Sequence, residues 1–96
     1  MAKYIMLDKF TQQGIQTIKD APKRRAKAIE LASALGGEIQ DVYVTMGQYD
    51  LVVVLDAPND ETVAKLILQV GMQGNLSTQT LRAFDEAETD RLVASL

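Results

Sequence analysis

Neither cysteine nor histidine occurs anywhere in the chain. Without cysteine there is no disulfide, no thiolate nucleophile and no thiolate metal ligand; without histidine the commonest general base and metal ligand is missing. Serine-histidine-acid and cysteine-histidine machinery cannot be assembled, nor can histidine-ligated zinc or haem. Chemistry, if any, must rest on carboxylates, tyrosines, lysines or arginines. No metal and no cofactor are expected, and no catalytic residue is assigned. The strand-borne carboxylates Asp8, Asp50 and Asp56 sit at separate strand ends without metal-ligand spacing along the chain.

Positive charge is also not in excess, with 13 acidic against 10 basic side chains and a net charge of −3. Phosphate backbones and anionic membranes are therefore not drawn to the chain as a whole, and nucleic acid is not an expected partner. No apolar run approaches the roughly 18 residues that a membrane span requires, and the opening hydrophobic stretch is too short for a secretory signal. A cytoplasmic location is the expectation. Only two prolines and six glycines are present, with no low-complexity run, which argues against linkers and disorder. Residues 1–96 thus read as one domain, short enough to bury only about 60 to 65% of its unfolded surface.

What is present is a regular alternation of strand and helix patterns. Lys3–Phe10 is a short, mostly apolar run and reads as a strand. After a helical turn over Gly14–Asp20, Asp20 is placed to cap a helix with Pro22 in its first turn. Ala28, Leu31, Ala32 and Leu35 form its apolar stripe and Gly36-Gly37 its stop. Glu38–Met46 and Asp50–Asp56 follow as two strands joined by a Gly-Gln-Tyr turn, the second β-branched at its centre. Ala-Pro-Asn-Asp then leads into a second helix, striped by Val63, Leu66, Ile67 and Val70 and broken at Gly71–Gly74. The last of these elements are a strand over Asn75–Phe84 and a short helix capped by Asp85. Strand, helix, strand, strand, helix, strand is the order of an α+β ferredoxin-like fold, a four-stranded antiparallel sheet with two helices on one face.

In the third strand, Leu51, Val53 and Leu55 alternate with Val52 and Val54, so both faces are apolar at the centre. Two helices can cover only one face of such a sheet, and the other is expected to be covered by a second subunit. Leu51, Val53, Leu55, Val42, Val44, Ile5 and Leu7 are assigned to the helix side. Tyr4, Met6, Asp8, Tyr43, Thr45, Asp50, Val52, Val54 and Asp56 are left for the outer side, a mixture suited to a partly wet space between packed sheets. Such a space serves either as a cavity for a small metabolite or as a ligand-free interface.

Three sequence features bear on a site. Gly47-Gln48-Tyr49-Asp50 sits at a hairpin, where glycine and aspartate are accounted for by turn chemistry and Tyr49 is not. Lys23, Arg24, Arg25 and Lys27 crowd the first turns of a helix, where the macrodipole disfavours cations by about 0.3 to 1 kcal/mol each. They read first as solvated charge, with an anionic ligand or an acidic partner patch as the alternative. Gly71-Met-Gln-Gly74 lacks the lysine of a phosphate loop and reads as a helix stop. The candidate ligand residues are therefore Asp8, Tyr43, Thr45, Gly47, Tyr49 and Asp50.

The ordered set Ala-Lys-Tyr-Ile-Met-Leu, Gln-Gly-Ile, Ile-Lys-Asp, Pro-Lys-Arg, Leu-Gly-Gly, Gly-Gln-Tyr-Asp, Gly-Asn-Leu-Ser-Thr and Thr-Leu-Arg-Ala-Phe resembles the GYD domain family along nearly the whole chain. The resemblance implies a dimeric α/β barrel, in which two ferredoxin-like sheets pack face to face. A shorter likeness, through Gly47, Tyr49, Asp50 and the following strand, connects it to the ligand-sensing domain of leucine-responsive regulators, which oligomerises and binds amino acids. No helix-turn-helix precedes it here, and likeness of fold does not transfer function. The leading expectation is a noncatalytic homo-oligomeric module that binds a small metabolite or serves assembly. The competing expectation is a cofactor-free enzyme of monooxygenase or isomerase type, using Tyr43, Asp8 or Asp50 as acid or base.

Overall fold

The computed structural model describes all residues, Met1–Leu96. Strand β1 (Ala2–Phe10) is followed by a short helix α1 (Gln12–Gln16), a 3-10 turn (Ile18–Asp20) and helix α2 (Ala21–Ala34). Strands β2 (Glu38–Val44) and β3 (Leu51–Ala57) form the central hairpin, and α3 (Asp60–Met72), β4 (Leu76–Ala83) and α4 (Glu86–Ala94) complete the chain. All three strand pairings are antiparallel, and the sheet order is β2-β3-β1-β4. This is the ferredoxin-like arrangement expected from the element order. No helix is long and apolar enough to cross a membrane.

Local sequence explains where the elements stop. The Asn59 side chain accepts a hydrogen bond from Thr62 N and opens α3, while Asp85 and Glu88 form a reciprocal capping box at α4. Gly36 closes α2 with φ of +87°, a conformation glycine enters without steric penalty. Asp20 precedes α2 but is itself helical and makes no side-chain cap, because the 3-10 turn runs directly into the helix. Gly71 lies inside α3 instead of breaking it; the helix runs to Met72, and the chain turns at Gly74. Strand β2 ends at Val44, two residues short of Met46, and β3 starts at Leu51.

The register corrects one assignment made from alternation. Tyr4 pairs with Leu55, Met6 with Val53 and Asp8 with Leu51, and directly opposed residues share a face of the sheet. Val53 and Leu55 are buried under the helices, as expected, so Tyr4, Met6 and Asp8 lie there too. Ile5 and Leu7, opposite Val54 and Val52, belong to the outer face. Both parities of β1 are apolar, and only its pairing with β3 decides between them. Val42, opposite Val53, joins the helix side; Val44, at the end of the edge strand, is 75% exposed.

The core beneath the helices is built from Tyr4, Met6, Val53, Leu55, Ala57, Ala32, Val63 and Leu66. Helices and sheet form a two-layer slab of 48 × 31 × 17 Å. The other face of the sheet carries Ile5, Leu7, Val52 and Val54, half-buried, with Tyr43 and Leu81 exposed, and no helix is among the residues that pair with them.

Candidate functional site

The Gly-Gln-Tyr-Asp segment forms the loop between β2 and β3. Gly47 has φ of +136°, which an L side chain rarely tolerates. Thr45 closes the loop twice: its amide donates to Asp50 O at 2.8 Å and its hydroxyl to Tyr49 O at 2.7 Å. The Asp50 carboxylate does not bond amides of its own turn. It accepts from Phe10 N at 2.9 Å, at the end of β1, while Asp50 N donates to Asp8 O at 2.8 Å. The Tyr49 hydroxyl donates to Gln79 Oε1 on β4, and Lys9 Nζ lies 5.7 Å from the centre of its ring. Gln79 and Lys9 belong to the outer face, so the loop reaches over the open side of the sheet and Tyr49 is its contact.

Of the six residues proposed from sequence, this brings Thr45, Gly47, Tyr49 and Asp50 into one loop. Tyr43 stands apart on the outer face of β2, opposite Val52 and more than half exposed. Asp8 is on the other side of the sheet altogether. Tyr43, Asp8 and Asp50 therefore do not converge on one pocket, and Asp50 is engaged with backbone. The acid-base set considered from sequence is not assembled.

Asp8 occupies the setting that sequence reasoning missed. It is 1% exposed, and its Oδ1 has no hydrogen-bond partner. Burial raises its pKa above the ordinary carboxylate range, and a hydrogen bond with Thr78, its neighbour across β1 and β4, opposes the rise. It borders a cavity of about 110 Å³ between the helices and the sheet, walled by Met6, Leu31, Val42, Val53, Leu66 and Val70. Arg24, Arg25 and Lys27 on α2, with Gln73 and Asn75 beyond α3, form the polar part of its lining. A second, wholly polar recess shares Arg24, Lys27, Gln73 and Asn75 and adds Asp20 and Lys23. The basic cluster thus stands where the cavity meets solvent.

Nearby backbone packing is tight. A Cβ on Gly14 would fall 2.0 Å from Asn75 O, and the same carbonyl accepts from Thr11 N at 3.1 Å. Arg24 donates to the carbonyls of Thr17 and Gly14 at 3.0 and 3.2 Å, tying α1 to α2. On the far side of the core the Tyr4 hydroxyl donates to Asp60 Oδ1, a hydrogen bond that raises the tyrosine's pKa. Arg82 lies over the rings of Tyr4 and Phe84 and pairs with Glu88 at 3.5 Å.

Residues 4–93, from β1 into α4, match the GYD domain. The chain belongs to the GYD domain family. Another protein of this kind, the glutamine synthetase and cystathionine beta-lyase binding protein of Thermus thermophilus, is 32% identical over 89 residues, covering 92% of this chain and 94% of the relative. Among solved structures, the de novo designed protein Ferredog-Diesel is similar in fold, with a TM-score of 0.53, 16% identity and 85% of each chain covered. In this GYD domain, the glycine, tyrosine and aspartate of the loop have separate tasks: Gly47 permits the turn, Asp50 fastens it to β1, and Tyr49 presents an aromatic ring on the open face.

Proposed function

We propose that this GYD domain is a noncatalytic binding module that pairs with a second copy through its open sheet face and docks, as the pair, onto a partner enzyme. The observation that carries the proposal is the apolar patch of Ile5, Leu7, Val52, Val54, Tyr43 and Leu81 on a slab 17 Å thick. A contiguous apolar surface at the centre of a sheet favours cover by another apolar surface. The rim supplies both signs of charge, with Lys3 and Lys9 on β1 against Asp41 and Asp56 on β2 and β3. A two-fold related copy can match such a rim to itself, because an isologous interface brings the same patch to both sides. Tyr49, held over this face by Gln79, would lie at the boundary, with Tyr43 beside it and Thr45, Gly47 and Asp50 shaping the loop.

Docking onto an enzyme is supported by the name of the Thermus relative, which describes binding to two enzymes and no reaction of its own. It is also supported by the failure of Tyr43, Asp8 and Asp50 to form one acid-base site. Face-to-face pairing leaves the helical layer of each copy free for such a partner.

Sedimentation of the purified protein at micromolar concentration should give a dimer or a multiple of it. Mixing with purified glutamine synthetase, and separately with cystathionine β-lyase, should then yield a comigrating complex with at least one of them. A species of only 10.5 kDa would remove the pairing, and migration unchanged with both enzymes would remove the docking.

A further inference from the structure

We propose that the cavity between the helices and the sheet binds a small amino-carboxylate, with its ammonium group at Asp8, a short apolar body along the cavity wall and its carboxylate among the cations of α2. This is independent of sheet pairing, because the cavity opens on the opposite side of the sheet.

The first support is Asp8 itself. A carboxylate oxygen that is buried and unpartnered is rare in a folded protein, since each such group costs stability and most find a partner. Here the oxygen belongs to a residue lining an open space instead of a packed core. A donor brought by a ligand would complete it, and a carboxylate is best completed by a cationic N–H group.

The second support is the mouth. Lys23, Arg25 and Lys27 have no ion pair; the ion pairs of the chain are Lys3–Asp56 and Arg82–Glu88. Arg24 is committed to backbone carbonyls and helps fix the rim. Asp20 is the acidic group bordering the recess, against Lys23, Arg24 and Lys27. A chain of net charge −3 thus gathers four of its cations in the first turns of one helix, where the helix dipole disfavours them, and an anion at this place would relieve both effects.

The third support is size. A cavity of about 150 Å³ accommodates benzene. The volume here, about 110 Å³, suits a body of about four or five non-hydrogen atoms, with the carboxylate left at the rim. The apolar walls of Met6, Val53 and Leu66 favour methylene groups over further polar ones.

Isothermal titration of the purified full chain against 4-aminobutyrate, 5-aminopentanoate and 6-aminohexanoate varies the separation of the two charged ends. Pentanoate and pentylamine each lack one end. At least one amino-carboxylate should bind with millimolar or better affinity, and both single-ended probes should bind about tenfold more weakly or worse. Asp8→Asn should weaken the amino-carboxylate about tenfold and leave pentanoate unchanged. Lys27→Ala, a substitution at an exposed position that leaves folding intact, should weaken both acids and leave pentylamine unchanged. Absence of binding by every amino-carboxylate at about 10 mM overturns the proposal. Pentanoate binding as tightly as the best amino-carboxylate, or an Asp8→Asn or Lys27→Ala variant that binds that amino-carboxylate like the parent, does the same.

Discussion

Asp50 and Phe10, forty residues apart in sequence, are joined by a hydrogen bond of 2.9 Å from the Phe10 amide to the Asp50 carboxylate. The bond fastens the loop that carries Tyr49 to the end of β1, next to a second link from Asp50 N to Asp8 O. Asp50→Ala should lower stability by about 1 to 2 kcal/mol, because it strands a half-buried backbone donor. Asp50→Asn retains an acceptor oxygen and should lose less. Chemical denaturation orders the three proteins, and equal midpoints for Ala and Asn would show that the acceptor is dispensable.

Gly14 is buried where α1 meets the chain after α3, and Gly14→Ala should be damaging. The added methyl would stand 2.0 Å from the Asn75 carbonyl, and that contact is backbone on both sides, so no rotamer change relieves it. A loss of about 2 kcal/mol or more is expected by urea titration, with a lower thermal midpoint, from overpacking at a fixed backbone. Gly71→Ala is the control: open space surrounds its Cβ position and the residue is helical, so the substitution should be neutral or mildly stabilising.

Stability should fall as pH rises just above the ordinary carboxylate range. Burial raises the folded-state pKa of Asp8, so the native protein holds a proton that the unfolded chain has released. The slope of unfolding free energy with pH is then negative between the unfolded and folded pKa values. The charged groups facing this region from the packed elements are Arg24, Arg25 and Lys27 of α2, while β4 presents the neutral Thr78. Asp56 behaves oppositely: its hydrogen bond from Lys3 at 3.0 Å lowers its pKa, giving stability that is lost as pH falls below the ordinary range. Asp8→Asn should abolish this decline and leave the acid limb, and urea titrations from about pH 3 to 8 would reveal both. A decline that survives in Asp8→Asn would assign it to another group.

The two faces of the sheet should fail differently. Val53 is 8% exposed beneath the helices, so Val53→Asp buries an unpaired carboxylate and should unfold or precipitate the protein. Met6→Asp, opposite Val53, should do the same. Val54→Asp and Ile5→Asp, paired on the open face, should retain near-native circular dichroism and sediment at lower mass. A fully oligomeric Val54→Asp would exclude this face as the pairing surface.

The elements of this fold are written locally. Period-two alternation in Leu51–Ala57, the helical stripes of α2 and α3 and the caps at Asn59 and Asp85 depend on residues within a few positions of one another, and each appears in the structure. The apolar character of both faces of β3 is equally local. The face that β1 turns to the helices is not, because Tyr4 and Met6 are as apolar as Ile5 and Leu7. Only the pairing of Met6 with Val53 separates the two sets. That pairing carries Asp8 to the helix side, where the cations of α2, from a remote stretch of sequence, meet the same cavity. Asp50 likewise reads as a turn residue until the end of β1 is brought alongside it. Composition and periodicity determined which segments are strands and helices; the register between distant strands, which no local preference encodes, decided which side chains share a site.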